Sequence, residues 1–380
     1  MKIAVVRGKF LNRYEMQFFE PLAKKHDLTA FGSLKPYHEN FAFPVIKLPC
    51  PMDLPDFPMK MPFLNRLFTD AHVLLGLEDK LSGFDIVHTA ETYYRYTYQA
   101  IRARKLGRVK KVVATVLENI PFNNESINGR KELKEYTINN LNRIIALTQR
   151  TRAALELEGA DPEKISVLGH FIDTDRFCPP VAWPACHGVN KKNFRLFFAG
   201  RLETYKGIFE LLYAFKLIIN QLVGGKTLTL VYAGNGSQTA RLRNRVRRLG
   251  LGKMVAITES SYDKMPDLYR EADIYLAPSK ETSTWQEQYN TTLLEAQASG
   301  LPIITTASGG ISENVGTAAI LVQPGDVVSL RDAIYDLLTH HRKRQLYAKK
   351  ARDRAVMVHD ARLGAARLEE IYKQTLLSHD

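Results

Sequence analysis

Residues 287–306 read EQYNTTLLEAQASGLPIITT, and residues 272–279 just before them read ADIYLAPS. The apolar runs ADIYLAP and LPIITT are continuous rather than alternating, as in strands buried on both faces of a parallel sheet. Between them, Asn290 or Thr291 supplies a helix cap, the helix runs to Ala298, and Gly300 and Pro302 end it in the usual C-terminal order. Strand, loop, helix and strand make one α/β unit. The same alternation recurs along the chain, with KIAVV, FDIVH, KVVATV and RIIAL in the first half and FRLFFAG and TLTLVYAG in the second. Amphipathic segments separate these runs. The expected fold class is α/β, as two similar doubly wound domains. The stretch CPPVAWPACHGVNKKN, residues 178–193, has three prolines, a glycine and no periodicity, so it reads as the linker between them.

Composition bounds the function. The 380 residues are enough for two domains of ordinary size, and 45% hydrophobic with 24% charged residues is a globular balance. No segment approaches the apolar length that crosses a bilayer. The N-terminal MKIAVVRGKFLNRYE has too short an apolar run for a signal peptide and reads as a first strand. Cys50, Cys178 and Cys186 have no metal-ligand spacing, and an odd count suits a reducing compartment, so a cytoplasmic location is expected. A net charge of +13 implies an anionic partner: a phosphorylated substrate, nucleic acid or an acidic membrane surface. The arginines of RLRNRVRRLG, residues 241–250, fall mostly on an exposed helix face without an aromatic-rich motif. A solvated face is the better reading there, and no nucleic-acid partner is expected.

Three loops after strands carry candidate chemistry. FRLFFAGRLETYKG, residues 194–207, is a strand ending at Gly200-Arg201, and Lys206-Gly207 then opens a helix. A helix start has unpaired N–H groups and a positive dipole end, and two cations beside it make a diphosphate site. On its own this segment reads more readily as two solvated cations. VYAGNGSQTARLRNRV repeats the pattern with Gly234-Asn235-Gly236, which alone is an ordinary tight turn. The third loop is the opening stretch. Glu287 lies ahead of its helix and Glu295 lies about one turn inside. The N–H groups near Asn290, Thr291 and Thr292 point out of the helix start, so a phosphate there would have a carboxylate on either side. Carboxylates accept hydrogen bonds from sugar hydroxyls, although each glutamate singly is a common loop or surface charge.

Together these segments resemble the retaining glycosyltransferases of family 4, which have the GT-B fold, over nearly the whole second half. The family's GR…KG matches Gly200-Arg201 and Lys206-Gly207, and its E-x7-E matches Glu287 and Glu295. A-x-A-x-G-x-P matches Ala296 to Pro302, SGG-x-x-E matches Ser308 to Glu313, and PGD matches Pro324 to Asp326. Each is weak alone, and their order is specific. The resemblance implies two Rossmann-like domains facing across a cleft, 1–180 on the acceptor side and 181–360 on the donor side, with a final helix, 361–380, crossing back to the first. It implies a UDP- or GDP-linked sugar as substrate, with no cofactor and no metal. Glu295 would take the ribose hydroxyls, Arg201 and Lys206 the leaving diphosphate, and Glu287 the donor sugar. Gly8, Gly200 and Gly234 would line the phosphates, and the backbone near Ile257 and Thr258 the nucleobase. The activity implied is hexosyl transfer, with retention, to the hydroxyl of a sugar or lipid-linked acceptor in cell-surface glycan or glycolipid synthesis. A nucleotide-sugar epimerase or another enzyme on this fold is the alternative.

The chain also departs from the family. EQYN stands where EGFG or EQFG is usual, and Asn290 replaces the second glycine, although Asn tolerates left-handed backbone. Gly8 is a single glycine between Arg7 and Lys9. Leu117 takes the place of the histidine in T-x-H-D, so that histidine's role has no carrier here. His88 and Glu91 in FDIVHTAETYY, and Glu118 and Asn119 in KVVATVLENIPF, are the acceptor-side candidates. For His88 a hydrogen-bonded structural role is at least as good a reading. HFIDTDRF, residues 170–177, resembles the family's NGVDTxRF and reads as a structural lead into the hinge. Residues 50–68, CPMDLPDFPMKMPFLNRLF, read as a loop without regular structure. Packing over the core is the slightly better reading. The mixture of apolar and basic residues also suits peripheral contact with an anionic membrane, on its inner face, or with a lipid-linked acceptor.

Overall fold

The computed structural model describes residues 1–181, 183, 191–219 and 227–378. Of the predicted linker, Ala182 and residues 184–190, Cys186 among them, lie outside the described residues. So do residues 220–222 of the helix expected after Gly207. The chain divides into two compact units, Met1–Phe171 with Ala361–Asp380, and Ile172–Asp360. The division falls at Phe171/Ile172 rather than at 180/181 because IDTDRF, residues 172–177, is tied to the second unit. Ile172 N–H donates to His359 O at 2.8 Å. Arg352 donates to Thr174 O at 3.0 Å and to Phe177 O at 3.1 Å.

The first unit is built on seven parallel strands: β1 (Lys2–Gly8), β2 (Asp27–Ser33), β3 (Val45–Leu48), β4 (Phe84–Ala90), β5 (Val109–Val116), β6 (Arg143–Ala146) and β7 (Ile165–Val167). Their order is β3-β2-β1-β4-β5-β6-β7, which reverses between β1 and β4. Val5 pairs with His88 there. Ile3, Val5, Ile86, Val113 and Ile145 share one buried cluster with Leu368 and Tyr372 of the helix Ala361–Leu377. Gly364 lets that helix approach, since a Cβ there would sit 2.3 Å from the Phe171 ring.

The second unit has six parallel strands: β8 (Asn193–Ala199), β9 (Thr227–Ala233), β10 (Val255–Thr258), β11 (Ile274–Ala277), β12 (Ile303–Thr306) and β13 (Ile320–Val322). The order β10-β9-β8-β11-β12-β13 reverses between β8 and β11. At such a reversal the loops leaving neighbouring strands turn to opposite faces, opening a crevice at the strands' carboxyl ends. Leu196, Phe198, Leu230, Ile274, Leu276 and Ile304 fill the core beside the helices Ile208–Ile219 and Val327–Thr339.

Residues 50–68 are not structureless. Pro51–Asp53 forms a 3-10 turn and Lys60–Phe68 an α-helix. Pro62 is compatible with helix because it lies in the first turn, where an N–H has no intrahelical partner. Only Leu64 of this helix is buried, while Met59 (72% exposed), Phe63 (53%) and Leu67 (60%) face solvent. Among the described residues no helix is long and apolar enough to cross a membrane.

Candidate active site

The two loops that flank the β8/β11 reversal carry the predicted cations and carboxylates. After β8 the chain passes Gly200 and exposed Arg201 into the 3-10 turn Thr204–Lys206, then into the helix Ile208–Ile219. After β11 it runs from Pro278 through Glu287 to Asn290, which precedes the helix Thr291–Ala298. The loops touch backbone to backbone. A Cβ on Gly207 would lie 1.9 Å from Pro278 O, and one on Gly234 would lie 2.0 Å from Gly200 O. Lys280 N–H donates to Tyr205 O at 2.7 Å. Positions of the side chains are therefore set by close main-chain packing.

The contacts converge on Glu287. Its Oε1 accepts from Lys206 Nζ at 2.6 Å, Ser279 Oγ at 2.6 Å and Asn290 Nδ2 at 3.1 Å. The Glu287 side chain is 5% exposed and that of Lys206 15%. Charge-assisted bonds in so sheltered a place are stronger than on an open surface. Asn290 adopts φ +58, the left-handed region that Asn tolerates better than most residues. Its Oδ1 accepts from Thr292 Oγ1 at 2.6 Å, and Tyr275 OH donates to Thr292 Oγ1 at 2.6 Å. The start of the helix Thr291–Ala298 is thus braced from two sides.

Glu295 lies deeper, 3% exposed. Burial raises its carboxyl to about 7, against the lowering effect of hydrogen bonds from Tyr269 and Tyr262 and of the nearby Arg176 charge. Tyr269 OH donates to Glu295 Oε2 at 2.7 Å. The Arg176 guanidinium lies 4.4 Å from the Tyr262 ring centre, so HFIDTDRF contributes charge as well as structure. The sequence reading missed Tyr262, Tyr269, Arg176 and Ser279. No spacing rule links them to Glu295 or Glu287; only the fold brings them together.

Ile257 and Thr258 end β10, the edge strand of the sheet, where Ile257 pairs with Tyr232 on one side only and Thr258 O accepts Gly234 N–H at 2.8 Å. PGD has a local explanation: Asp326 caps the helix Val327–Thr339 by accepting from Val328 and Ser329 N–H, each at 2.9 Å.

In the first unit, Gly8 ends β1 at φ +55. His88 is 0% exposed, with Nδ1 2.6 Å from Tyr372 OH and Nε2 2.6 Å from Thr115 Oγ1. Burial holds it well below its ordinary pKa, so it is a neutral structural histidine that joins β4 and β5 to the last helix. It leaves the set of acceptor-side candidates. Glu118 shapes its own loop, accepting from Asn119 N–H and Ile120 N–H at 3.0 Å each and from Asn123 at 2.8 Å. Asn119 is 1% exposed. Glu91 follows β4 at φ +59, and its Oε1 accepts from Leu117 N–H at 3.0 Å. Burial first, and then the neighbouring Glu118 charge, push it up to about 8. Of the four candidates, Glu91 is the one held in strained backbone beside the β1/β4 reversal.

Residues 22–176 match the model for Glycosyltransferase Family 4, and residues 182–354 match that for Glycosyl transferases group 1. The chain is 27% identical over 287 residues to D-inositol 3-phosphate glycosyltransferase 2 of Catenulispora acidiphila, covering 71% of this chain and 64% of that protein. It is 26% identical over 186 residues to the 2-deoxystreptamine N-acetyl-D-glucosaminyltransferase of Niallia circulans, covering 47% and 46%. The first three curated relatives are matched over 64%, 60% and 66% of their length, so the chain spans less than two thirds of each. Among solved structures, Anabaena HepE in complex with UDP superposes with a TM-score of 0.76 at 17% identity, covering 98% of this chain and all of that one. Sucrose-phosphate synthase of Thermosynechococcus elongatus gives 0.73 at 18%, covering 98% of each. With two reversed parallel sheets, a cation–carboxylate pair at the second reversal and family matches across both units, the chain belongs to the family 4 glycosyltransferases of GT-B fold.

Proposed function

We propose that this chain transfers a hexosyl group from a nucleotide-diphosphate sugar to an acceptor hydroxyl with retention. The observation that carries the reading is the Lys206–Glu287 pair, set at the β8/β11 reversal beside the start of the helix Thr291–Ala298. In the reaction the bond from the anomeric carbon to the diphosphate oxygen breaks and a bond to the acceptor oxygen forms on the same face. The acceptor's proton passes to the departing phosphate oxygen. Lys206 and Arg201 neutralise the charge that grows on the diphosphate, Glu287 receives hydroxyls of the sugar, and Glu295 the ribose. UDP is the first nucleotide to test, because HepE structures carry UDP and UDP-glucose. For the acceptor, the relatives' names point to small polyols such as inositol phosphate. The exposed Met59, Phe63 and Leu67 beside Arg66 favour a lipid-linked one, met by peripheral contact with an anionic membrane.

The deciding experiment has two stages. UDP, GDP and ADP are compared by thermal shift, where a ligand at about a hundred times its Kd adds roughly 2.7 kcal/mol. The sugar of the winning nucleotide is then offered with a soluble polyol or with lipid-linked acceptor in anionic vesicles. Release of nucleoside diphosphate only when an acceptor is present supports transfer; sugar interconversion without an acceptor supports an epimerase. No stabilisation by any nucleotide overturns both.

Glu295 predicts a pH dependence. Below about 7 its carboxyl is protonated in the empty protein. A protonated carboxyl has lost acceptor capacity for two ribose hydroxyls, so binding must first release that proton. Nucleotide affinity should therefore fall by up to about tenfold per unit as pH drops below this point, and level off above it. Calorimetric titration on either side of neutrality measures this. Glu295→Gln should bind more weakly and without the pH slope; an unaltered slope removes Glu295 from the ribose site.

A further inference from the structure

The connection from Pro278 to Asn290 does more than deliver Glu287. It folds back on itself, with Thr282 N–H donating to Trp285 O at 2.8 Å. This turn sets the half-buried Trp285 indole against the Tyr205 ring, with centroids 4.1 Å apart and planes at 40°. Tyr205 directly precedes Lys206, and its carbonyl is held by Lys280 N–H. Lys206 Nζ lies 5.0 Å from the Trp285 ring centre and 2.6 Å from Glu287 Oε1. The Arg201 guanidinium lies 5.5 Å from the Tyr205 ring centre. Each of the two cations therefore faces one ring of a single aromatic pair, and neither ring occupies a defined position of the family motifs matched in the sequence.

A lysine ammonium on a flexible four-carbon stem is poorly fixed by one carboxylate. The carboxylate sets a distance, and the stem can still swing about it. An indole face attracts the cation through its quadrupole, more strongly than any other side-chain ring, and supplies a second point. The ammonium has three N–H donors. One is used by Glu287, so the others remain for phosphate oxygens.

We infer that Trp285 is a positioning residue for transfer: with Tyr205 behind it, the indole holds the Lys206 ammonium against Glu287, where an incoming diphosphate meets it. The inference rests on the reading of Lys206 as part of the diphosphate clamp. It concerns rate rather than affinity, because Glu295 and the Thr291 helix start, which would anchor the nucleotide, do not depend on the ring.

The test compares Trp285→Leu, Trp285→Phe and Lys206→Met in steady-state transfer and in nucleoside-diphosphate titration, with melting curves to show that each is folded. Trp285→Leu is expected to lower kcat about tenfold, within the range a sheltered cation–ring contact supports, with the diphosphate Kd changed less than about twofold. Trp285→Phe should recover most of the rate, since a ring is restored. If Lys206→Met is strongly impaired while Trp285→Leu turns over like wild type, the positioning role fails and the clamp stands. If Lys206→Met itself is unimpaired, the clamp reading fails first and takes this inference with it. If Leu and Phe at 285 are equally impaired, with the loss in donor KM, the indole touches substrate instead and the inference is overturned.

Discussion

Replacing Lys206 by alanine is expected to lower kcat on the order of a hundredfold, with a smaller change in donor KM. In the empty protein the ammonium is already compensated by Glu287 at 2.6 Å, so the pair offers a ground-state diphosphate little net charge. As the leaving group departs, negative charge accumulates on it, and a cation that need not be recruited from solvent favours that state over the bound substrate. Arg201→Ala should cost less, about tenfold, because Arg201 is exposed and a solvent-screened charge does less work. The double substitution should fall short of the product of the singles, since both cations act on one developing charge. Loss of Lys206 does not leave Glu287 bare, because Ser279 and Asn290 still donate to it. A rate deficit with a near-normal melting temperature is therefore the expected pattern. Wild-type turnover in Lys206→Ala would make the Lys206–Glu287 contact a structural ion pair.

The central strands of both sheets were legible because each lies in a mostly apolar run of sequence: β1, β4, β5 and β6 in one unit, β8, β9, β11 and β12 in the other. The edge strands and β2 were not. β7 and β13 have three residues each, β3 reads VIKL and β10 VAIT, each with a polar residue among its four, and β2 reads DLTAFGS, where polar and small residues break the run. Their identity comes from pairing with a neighbour, which no local pattern records. The helix Lys60–Phe68 was hidden by Pro62, which is tolerated only because it falls in the first turn.

At the site, motif spacing found the residues whose local setting is intrinsic: a carboxylate before a helix, a carboxylate inside it, and cations after a strand. It did not find what sets their behaviour. Glu295 is raised to about 7 by burial among side chains drawn from distant segments, and Tyr269 and Tyr262 reach it only through the fold. His88 looked like a strand-end ligand, yet strand β4 ends at Ala90, and residue 88 points to the last helix instead. The distinction between the end of a strand and two residues short of it lies within the ordinary uncertainty of an element boundary.

Gly309→Ala should be among the most damaging single-atom-group additions in the second unit. Gly309 adopts φ +53, and a Cβ there would lie 1.9 Å from Glu287 O and 2.8 Å from its carbonyl carbon. Those atoms are backbone and cannot turn aside. The neighbouring Gly310 N–H donates to the same Glu287 O at 2.8 Å, so the SGG turn after β12 is the cradle that places Glu287. The methyl group must push either that cradle or Glu287 away. A shift of about 1 Å is enough to break the 2.6 Å contacts of Oε1 with Lys206 and Ser279, and misplacement of that size can cost on the order of a hundredfold in rate. Backbone strain alone would not do this, and Gly250→Ala separates the two effects. Gly250 also has a left-handed φ, +69, but nothing lies within 4 Å of an added Cβ. That substitution should cost only the left-handed penalty of about 1–2 kcal/mol, seen as a drop of a few degrees in Tm with kcat unchanged. Measuring kcat and Tm for both variants decides the matter. A Gly309→Ala protein with the wild-type kcat would mean that the loop yields elsewhere, and that the main-chain position of Glu287 does not set the rate.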